Sequence, residues 1–174
     1  VAARKGDALW EGSIGENVAI KSHSVIEETH IANNCTIGPF ARIRPGTQLA
    51  NEVHVGNFVE IKQSQIGNNT NAAHLSYMGD ATIGDEVNMG AGSIIANYDP
   101  IMDKKHETKI DNNVKVGCNS TLIAPVTIGE SACIAAGSTI TKNVAPNDLA
   151  IARSHQSVIP KWVKKKQLQK VKLH

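Results

Sequence analysis

The sequence repeats with a period of six residues, and few folds can accommodate such a period. From residue 110 onward an aliphatic side chain recurs at every sixth position, and the same spacing runs from residue 14 to residue 95 with occasional one-residue slips. The in-phase residues are Ile14, Ile20, Ile26, Ile31, Ile37, Ile43, Leu49, Val55, Ile61, Ile66, Ala72, Met78, Ile83, Met89, Ile95, Ile110, Val116, Leu122, Ile128, Ile134 and Ile140. A short period sustained over most of a chain predicts a solenoid, in which each repeat packs on its neighbours.

Each six-residue unit is interpreted as one short strand followed by one corner. The residue two places before each aliphatic is small or branched, as at Val114, Ser120 and Val126. Because strand side chains alternate, both positions point to the same side, which we assign to the interior. Three units close one coil, and stacked coils pair their strands in parallel about 4.8 Å apart. We expect the glycine that often follows the aliphatic, as at Gly56 and Gly117, to supply the corner's special backbone angles. The prediction is an all-β protein, a parallel β-helix.

Composition narrows the class of protein further. Hydrophobic residues make up 41% of the chain and aromatic residues 3%, so the core must be built from aliphatic side chains. The net charge of +2 and the lack of a long apolar run predict neither a nucleic-acid partner nor a membrane span. Three cysteines (Cys35, Cys118 and Cys133) without CxxC spacing argue against a disulfide framework or a zinc site. They fit a cytoplasmic location.

Breaks in the repeat divide the chain. Residues 1–12 lack the period and are interpreted as a linker or a truncated edge. Residues 13–144 form the predicted β-helix domain, interrupted at residues 96–108 by a polar insertion that must leave the coil as a loop. Residues 145–174 form a C-terminal extension, predicted to contain a short strand or helix that caps the last coil and to end in a basic tail.

Several motifs follow one another along the repeat. They are ARIRPG (41–46), HVGNFVEIK (54–62), AHLSYMGDATIGDEVNMGAGSI (73–94), ANYD (96–99), LIAPVTIG (122–129) and LAIAR (149–153). In this order and spacing they resemble the acetyltransferase half of the GlmU family, the glucosamine-1-phosphate N-acetyltransferase part of a bifunctional uridylyltransferase. The uridylyltransferase half has no counterpart in this sequence, so we expect the chain to correspond to the acetyltransferase domain, either within a longer enzyme or alone.

The resemblance implies a fold, an assembly and a reaction. The fold would be a left-handed parallel β-helix, and three copies would form a homotrimer with the active sites between subunits. The reaction would be the acetyl-CoA-dependent N-acetylation of glucosamine-1-phosphate, with no metal and no acetyl-enzyme. The product would lead to UDP-N-acetylglucosamine, and from there to peptidoglycan and lipopolysaccharide.

One histidine and two basic residues are the first candidates for the site. An amine must be neutral to attack a thioester, and an imidazole titrates near neutrality, so His74 suits a general base. His74 also matches the catalytic histidine of the family motif. Arg44 and Lys62 resemble the family's phosphate-binding pair, and their spacing of one coil predicts that they stack. Two stacked cations without a paired acid would suggest a bound anion, although Glu60 could partly offset them.

The other site residues rest on the resemblance alone. Tyr77 and Asn88 match positions that contact the sugar, and Lys105 (or Lys104) matches the loop lysine that reaches the phosphate, from a neighbouring subunit. The family's acetyl-CoA site corresponds to Ala91, Asn97, Tyr98, Cys118, Ala136 and Arg153. The loop is about two residues longer than is usual in the family, which leaves the choice between the two lysines open.

Two other functions remain compatible with the sequence. A hexapeptide acyltransferase could act on another amino sugar or on a nucleotide sugar. A β-helix can also serve as a non-catalytic scaffold, or carry a zinc site of the carbonic-anhydrase type. The zinc version needs three histidines that stack on adjacent coils, and the histidines of the repeat lack that spacing.

Overall fold

The fold is a parallel β-helix with three flat faces. A computed structural model describes residues 12–171, so most of the predicted linker (1–12) lies outside the described residues. Successive strands of the chain belong to successive faces, and each face is a parallel sheet. The first face contains β1 (Ser13–Ile14), β4 (His30–Ile31), β7 (Gln48–Leu49), β10 (Gln65–Ile66), β13 (Ala81–Ile83), β18 (Thr108–Ile110) and β21 (Val126–Ile128).

The other two faces have the same construction. The second face contains β2 (Ala19–Ile20), β5 (Thr36–Ile37), β8 (His54–Asn57), β11 (Asn71–His74), β14 (Asn88–Met89), β19 (Lys115–Val116), β22 (Cys133–Ile134) and β24 (Leu149–Ala150). The third face contains β3 (Val25–Ile26), β6 (Arg42–Ile43), β9 (Glu60–Lys62), β12 (Tyr77–Gly79), β15 (Ile94–Ala96), β20 (Thr121–Ile123) and β23 (Thr139–Ile140).

The predicted columns of aliphatic residues form the core. Ile43 stands opposite Ile61, and Leu49 stands opposite Ile66, so a coil holds 18 or 17 residues depending on whether it contains a slip. From Ile31 to Ile140 every in-phase residue is buried. The prediction for the position two residues earlier is also confirmed, since hydroxyl residues such as Ser64 and Thr70 are buried there. Most of their hydroxyls form hydrogen bonds with the backbone, for example Ser64 Oγ to the Lys62 oxygen at 2.8 Å, whereas the buried hydroxyls of Thr47 and Thr108 have no partner among the described residues.

The expectation for the glycines holds at Gly38 (φ 90°) but is wrong for Gly56 and Gly117. At most corners the left-handed residue lies three places before the aliphatic, and residues other than glycine hold most of these positions, such as Asn34 (φ 61°) and Phe58 (φ 56°). The glycine after the aliphatic serves a different purpose at Gly56, where an added Cβ would meet the Cα of Ala73 at 2.8 Å. Glycine is therefore required there by the close approach of the next coil.

A ladder of side-chain hydrogen bonds lines the corner between the first and second faces. On successive coils a side-chain oxygen accepts a hydrogen bond from the backbone N–H of the equivalent residue on the preceding coil. The bonds run from Asn33 N to Asn51 Oδ1 (3.1 Å), from Asn51 N to Asn68 Oδ1 (3.1 Å), from Asn68 N to Asp85 Oδ1 (2.6 Å) and from Asp85 N to Asn112 Oδ1 (2.8 Å). The ladder satisfies corner N–H groups that the parallel sheets leave unpaired.

The polar insertion leaves the coil, as predicted, and forms a hairpin. Strands β16 (Tyr98–Asp99) and β17 (Lys104–Lys105) pair antiparallel, with Tyr98 opposite Lys105. The tip is apolar and exposed at Ile101 and Met102. The coil resumes at β18, which pairs in register with β13, so the insertion does not disturb the stack.

The C-terminal extension begins as part of the coil. Strand β24 pairs with β22, so parallel pairing continues to Ala150. The chain then runs exposed to helix α1 (Trp162–Val171), which is rich in lysine. Across residues 12–171 no helix has the length and apolarity needed to cross a membrane.

Candidate functional site

His74 heads a column of small residues at the corner between the second and third faces. The register that pairs Ala72 with Met89 sets His74 opposite Ala91 on the next coil. The column continues because Asn119 N donates to Ala91 O at 2.8 Å, and Gly137 N donates to Cys118 O at 2.8 Å. Ala91, Cys118 and Ala136 therefore follow His74 on three successive coils, and we call these three the small-residue column. Such small side chains leave the backbone accessible to an extended ligand.

Arg153 lies at the far end of this column. Its Cδ lies 3.7 Å from where a Cβ on Gly137 would stand, and Gly137 directly follows Ala136. Arg153 is exposed, as are His74 and Cys118. One edge of the three-sided β-helix thus carries His74, the small-residue column and Arg153, in that order.

A group of cations occupies the corner between the third and first faces. Arg44 N donates to Ile61 O at 2.8 Å, and Lys62 stands opposite Gly79, so Arg44, Lys62 and Gly79 follow one another on three coils. The predicted stacking of Arg44 and Lys62 is confirmed. The cations are not unpaired, however, because Arg44 Nη1 bonds Glu60 Oε1 at 2.9 Å. The expectation that unpaired cations indicate a bound anion therefore applies to Lys62 but not to Arg44.

The hairpin brings a third cation to this corner. Lys105, on β17, lies beside Lys62 of the same chain, and this proximity is the largest cause that lowers the pKa of Lys62; nearby Arg44 lowers it further, while Asp80 opposes the change. The same proximity, followed by the attraction of Asp80, raises the pKa of Lys105. We call Arg44, Lys62 and Lys105 the cation cluster. Two ammonium groups in contact repel unless an anion lies between them, so the cluster is suited to bind a multiply charged anion.

Three side chains adjoin the cation cluster at the base of the hairpin. Asn97 is buried and donates from Nδ2 to Asp80 Oδ2. The Tyr77 ring and the Asn97 amide both lie over Gly79, where an added Cβ would stand 2.7 Å from Asn97 Nδ2 and 2.8 Å from Tyr77 Cζ. A side chain at position 79 would therefore displace both of these polar side chains.

A polar groove lies beside the same corner. Its volume is about 330 Å³, and its walls include Gln63, Asp80, Lys105 and His106. Glu107 closes one side through a hydrogen bond that Thr82 Oγ1 donates at 2.7 Å. The groove is next to the cation cluster and does not include His74.

The structure separates the site residues into two groups. His74 ends β11, the strand β12 (Tyr77–Gly79) crosses the third face, and Asp80 begins the next corner. The histidine and the cation cluster therefore lie at opposite edges of one face. Two candidates join neither group. Asn88 lies on the second face opposite Asn71 and Lys115, and Tyr98 is exposed on the hairpin, where its hydroxyl donates to Asp103 at 2.9 Å and its pKa is raised by that bond.

An apolar ridge runs along the corner that holds His74. His23, Phe40, Phe58 and Leu75 take the left-handed corner position on four successive coils. The rings stack, with centroids 4.9 Å apart for His23 and Phe40 and 5.5 Å apart for Phe40 and Phe58. Phe40, Phe58 and Leu75 are 47%, 56% and 59% exposed. Both phenylalanines of the chain are therefore on the surface, on the same corner as His74.

Sequence reasoning missed one member of the site. Asp80 touches Asn97 and lies near Lys62 and Lys105, yet in sequence it is one polar residue after a glycine. Its left-handed φ of 50° and its neighbours appear once the coils are stacked. Among residues 12–171 no three His, Cys, Asp or Glu side chains are grouped closely enough to hold a metal ion.

Comparisons with known proteins agree with the repeat and the motifs. A family model described as bacterial transferase hexapeptide (six repeats) matches residues 28–63 and 107–142. The bifunctional protein GlmU of Streptococcus uberis is 54% identical over 160 residues, which are 92% of this chain and 34% of that protein. That of Caldicellulosiruptor saccharolyticus is 53% identical over 155 residues, which are 89% of this chain and 33% of that protein. The chain spans about a third of the length of the curated relatives it matches.

A solved structure shares the fold. A variant of GDP-perosamine N-acetyltransferase from Caulobacter crescentus, in complex with CoA and GDP-perosamine, superposes with a TM-score of 0.51. The two sequences are 20% identical, and the match covers 74% of this chain and 53% of the other. At this level of identity the likeness shows the fold alone.

Proposed function

Because the chain belongs to the GlmU family of hexapeptide-repeat proteins, we propose that it acetylates the amino group of glucosamine-1-phosphate with acetyl-CoA. The observation that carries the proposal is the division of the site between two edges. One edge holds a cation cluster suited to a phosphate dianion. The other holds a histidine at the head of a column of small residues suited to an extended thioester.

The cation cluster holds the acceptor. Arg44 offers two parallel donors to the phosphate, while Lys62 and Lys105 each contribute a point charge. A bound phosphate replaces the repulsion between the two ammonium groups by attraction to a shared anion. Tyr77 and Asn97, which both lie over Gly79, contact the sugar beside the phosphate.

The small-residue column holds the donor. The pantetheine arm of acetyl-CoA lies along Ala91, Cys118 and Ala136, with the thioester at the His74 end and the nucleotide phosphates at Arg153. Backbone groups of the corner offer hydrogen bonds to the amides of the arm. This orientation sets the reacting carbonyl next to the imidazole.

The chemistry is a direct transfer. The sugar nitrogen attacks the thioester carbon while His74 accepts the proton that the nitrogen loses. Collapse of the tetrahedral intermediate breaks the C–S bond, and the CoA sulfur leaves as a thiolate that takes up a proton. The products are N-acetylglucosamine-1-phosphate and free CoA, and the enzyme returns to its initial protonation state. Cys118 acts as a channel wall and forms no acetyl-enzyme.

A single chain does not complete this site. The amine and the phosphate sit on neighbouring carbons of one sugar, whereas His74 and the cation cluster lie at opposite edges of the third face, with β12 between them. A second copy can supply the missing edge if its cation corner faces the His74 corner of the first. Such a head-to-tail contact closes into a ring, and the proposed assembly is a homotrimer.

The apolar ridge suits the contact between copies. Phe40, Phe58 and Leu75 continue the line of the His74 corner, and their exposed surfaces remain unburied within one chain. Burial against another copy accounts for this exposure.

A thiol-release assay tests the proposal. Acetyl-CoA and glucosamine-1-phosphate are incubated with the wild type, with His74→Ala and with His30→Ala, whose imidazole lies on the first face away from the site. Free CoA should appear with the wild type and with His30→Ala, and should fall about 100-fold or more with His74→Ala.

Two outcomes contradict the proposal. Wild-type protein that forms trimers yet releases no CoA would exclude glucosamine-1-phosphate as acceptor, and a panel of amino sugars and nucleotide sugars would then identify another. Full activity of His74→Ala would exclude this histidine as the base.

The proposed reaction belongs in the cytoplasm. The three cysteines are free in the structure, which fits a reducing compartment. Uridylylation of the product gives UDP-N-acetylglucosamine, the precursor of peptidoglycan and lipopolysaccharide.

A further inference from the structure

Asp80 contacts the hairpin at both of its ends. Its carboxylate Oδ2 accepts a hydrogen bond from Nδ2 of Asn97, the residue just before β16. Its backbone oxygen accepts a hydrogen bond from the N–H of Thr108, the first residue after the insertion to rejoin the coil, at 3.2 Å. Asp80, at the corner between the third and first faces, is therefore hydrogen-bonded to residues at both ends of the insertion.

Asp80 also faces the cation cluster. Its negative charge acts on Lys62 and on Lys105, and it lines the groove that Lys105 borders. A carboxylate near a phosphate site repels the phosphate, so Asp80 must contribute to the site in another way. Its contacts indicate that it orients the hairpin, because it bonds Asn97 and attracts Lys105, the two side chains that the hairpin contributes to the site.

We propose that Asp80 is a positioning residue that aims the hairpin, so that Asn97 and Lys105 are held in place for the sugar phosphate. Its bond to Asn97 Nδ2 fixes the amide, which leaves the Asn97 oxygen directed away from the carboxylate. Its charge holds Lys105 beside Lys62 despite the repulsion between the two ammonium groups. This inference rests on the proposed function and names one more residue of that same site.

The test compares Asp80→Ala with Asp80→Asn. Alanine removes the acceptor and the charge, whereas asparagine keeps an oxygen that can accept from Asn97. The control is Glu86→Ala, an acidic corner residue with a similar φ (56° against 50° at Asp80) at another edge of the β-helix. Calorimetry measures the affinity for N-acetylglucosamine-1-phosphate, and hydrogen exchange measures the protection of the hairpin.

Asp80→Ala should bind the sugar phosphate about tenfold more weakly and exchange faster at β16 and β17. The KM for acetyl-CoA should change less than about twofold, because the donor lies along the other edge. Asp80→Asn should recover most of the protection, because it can still accept from Asn97, but only part of the affinity, because it lacks the charge that holds Lys105. Glu86→Ala should match the wild type in both measurements.

Several results would overturn the inference. Unchanged hairpin exchange in Asp80→Ala would exclude the positioning role, as would an equal loss of affinity for both substrates. If Asp80→Ala does not fold, Asn97→Ala removes the other partner of the same bond and must loosen the hairpin in its place. Failure of the wild type to bind the sugar phosphate would instead contradict the proposed function, and the exchange data would still decide the role of Asp80.

Discussion

At the scale of single residues, the resemblance of the motifs to a known family identified most of the side chains that the structure brings together. The one-coil spacing of Arg44 and Lys62 predicted their stacking, because a coil of 18 residues returns the chain to the same edge. The ion pair of Arg44 with Glu60 was weighed but not predicted, since it depends on side-chain directions. Asp80 was missed because its partners lie 17 or more residues away, and the longest of these separations crosses an insertion whose path the repeat does not fix.

The titration of Lys62 gives a prediction about pH. Lys62 binds phosphate in its charged form, and the nearby Lys105 lowers the pKa of Lys62. Lys62 should therefore lose its proton at a lower pH than an ordinary lysine, whose pKa is about 10.4. The affinity for the sugar phosphate should fall as the pH rises through that range. Arg44, Asp80 and Tyr77 also act on this pair and remain in place. In Lys62→Arg the charge persists, so the alkaline loss should become much smaller.

Calorimetric titration with N-acetylglucosamine-1-phosphate between neutral pH and pH 10 measures this effect. The product is the suitable probe because it lacks the free amine, and its phosphate is already dianionic in this range. The same alkaline loss in Lys62→Arg and in the wild type would show that another group is responsible.

The close approach of neighbouring coils leads to a second prediction at the residue scale, about the stability of two glycine variants. Gly56→Ala should lower the free energy of unfolding by about 2 kcal/mol or more, because its Cβ would meet backbone atoms of Ala73 that cannot move without separating two coils. Gly137→Ala should lower it by about 1 kcal/mol, since the backbone there has a φ of 72° but the space is open. Chemical denaturation of both variants gives the comparison. Equal losses would mean that backbone conformation, not contact, decides both positions.

At the scale of elements, the strands were predictable and the corners were not. Alternation and the six-residue period predicted which side chains point inward, because both follow from the geometry of an extended chain. The corner conformation falls on residues as different as Asn34, Phe58 and Asp80, so composition offers little signal for it. The hairpin was predicted as an excursion from the coil, but its strand pairing was not, since the repeat says nothing about residues that leave it.

The asparagine ladder is an element-scale feature whose contribution is measurable. Asn68→Ala removes an acceptor for Asn51 N and a donor to Asp85 Oδ1, so it should lower the free energy of unfolding by about 0.5–1 kcal/mol, given its exposure. Gln48→Ala, an exposed position on the first face, should be nearly neutral. Thermal unfolding of the two variants checks the difference. A neutral Asn68→Ala would show that water satisfies this corner equally well.

At the scale of the whole molecule, the repeat predicted the solenoid because each unit needs its neighbours to bury its inner face. The exposed ridge did not follow from the repeat, since the period constrains inward positions and leaves the corners free. Both phenylalanines lie outside the core, together on one outer edge.

The ridge yields a prediction about assembly. Phe58→Ser should weaken the association between copies and reduce turnover in parallel, because the ridge continues the His74 corner. Val25→Ser changes a residue of similar exposure on the third face near the first coils and should leave both properties unchanged. Sedimentation velocity and the thiol-release assay provide the two readouts. A Phe58→Ser protein that stays trimeric and active would remove the ridge from the interface.

The separation of His74 from the cation cluster has a genetic consequence. Under the proposed ring, each active site takes its base from one copy and its phosphate-binding edge from the next, so two different lesions need not fall in the same site. A protein with His74→Ala and another with Lys62→Ala would each be nearly inactive. If the two were unfolded together and refolded as mixed trimers, roughly a quarter of the junctions would join two intact edges. Two dead alleles would then complement one another, whereas two lesions at the same edge would not.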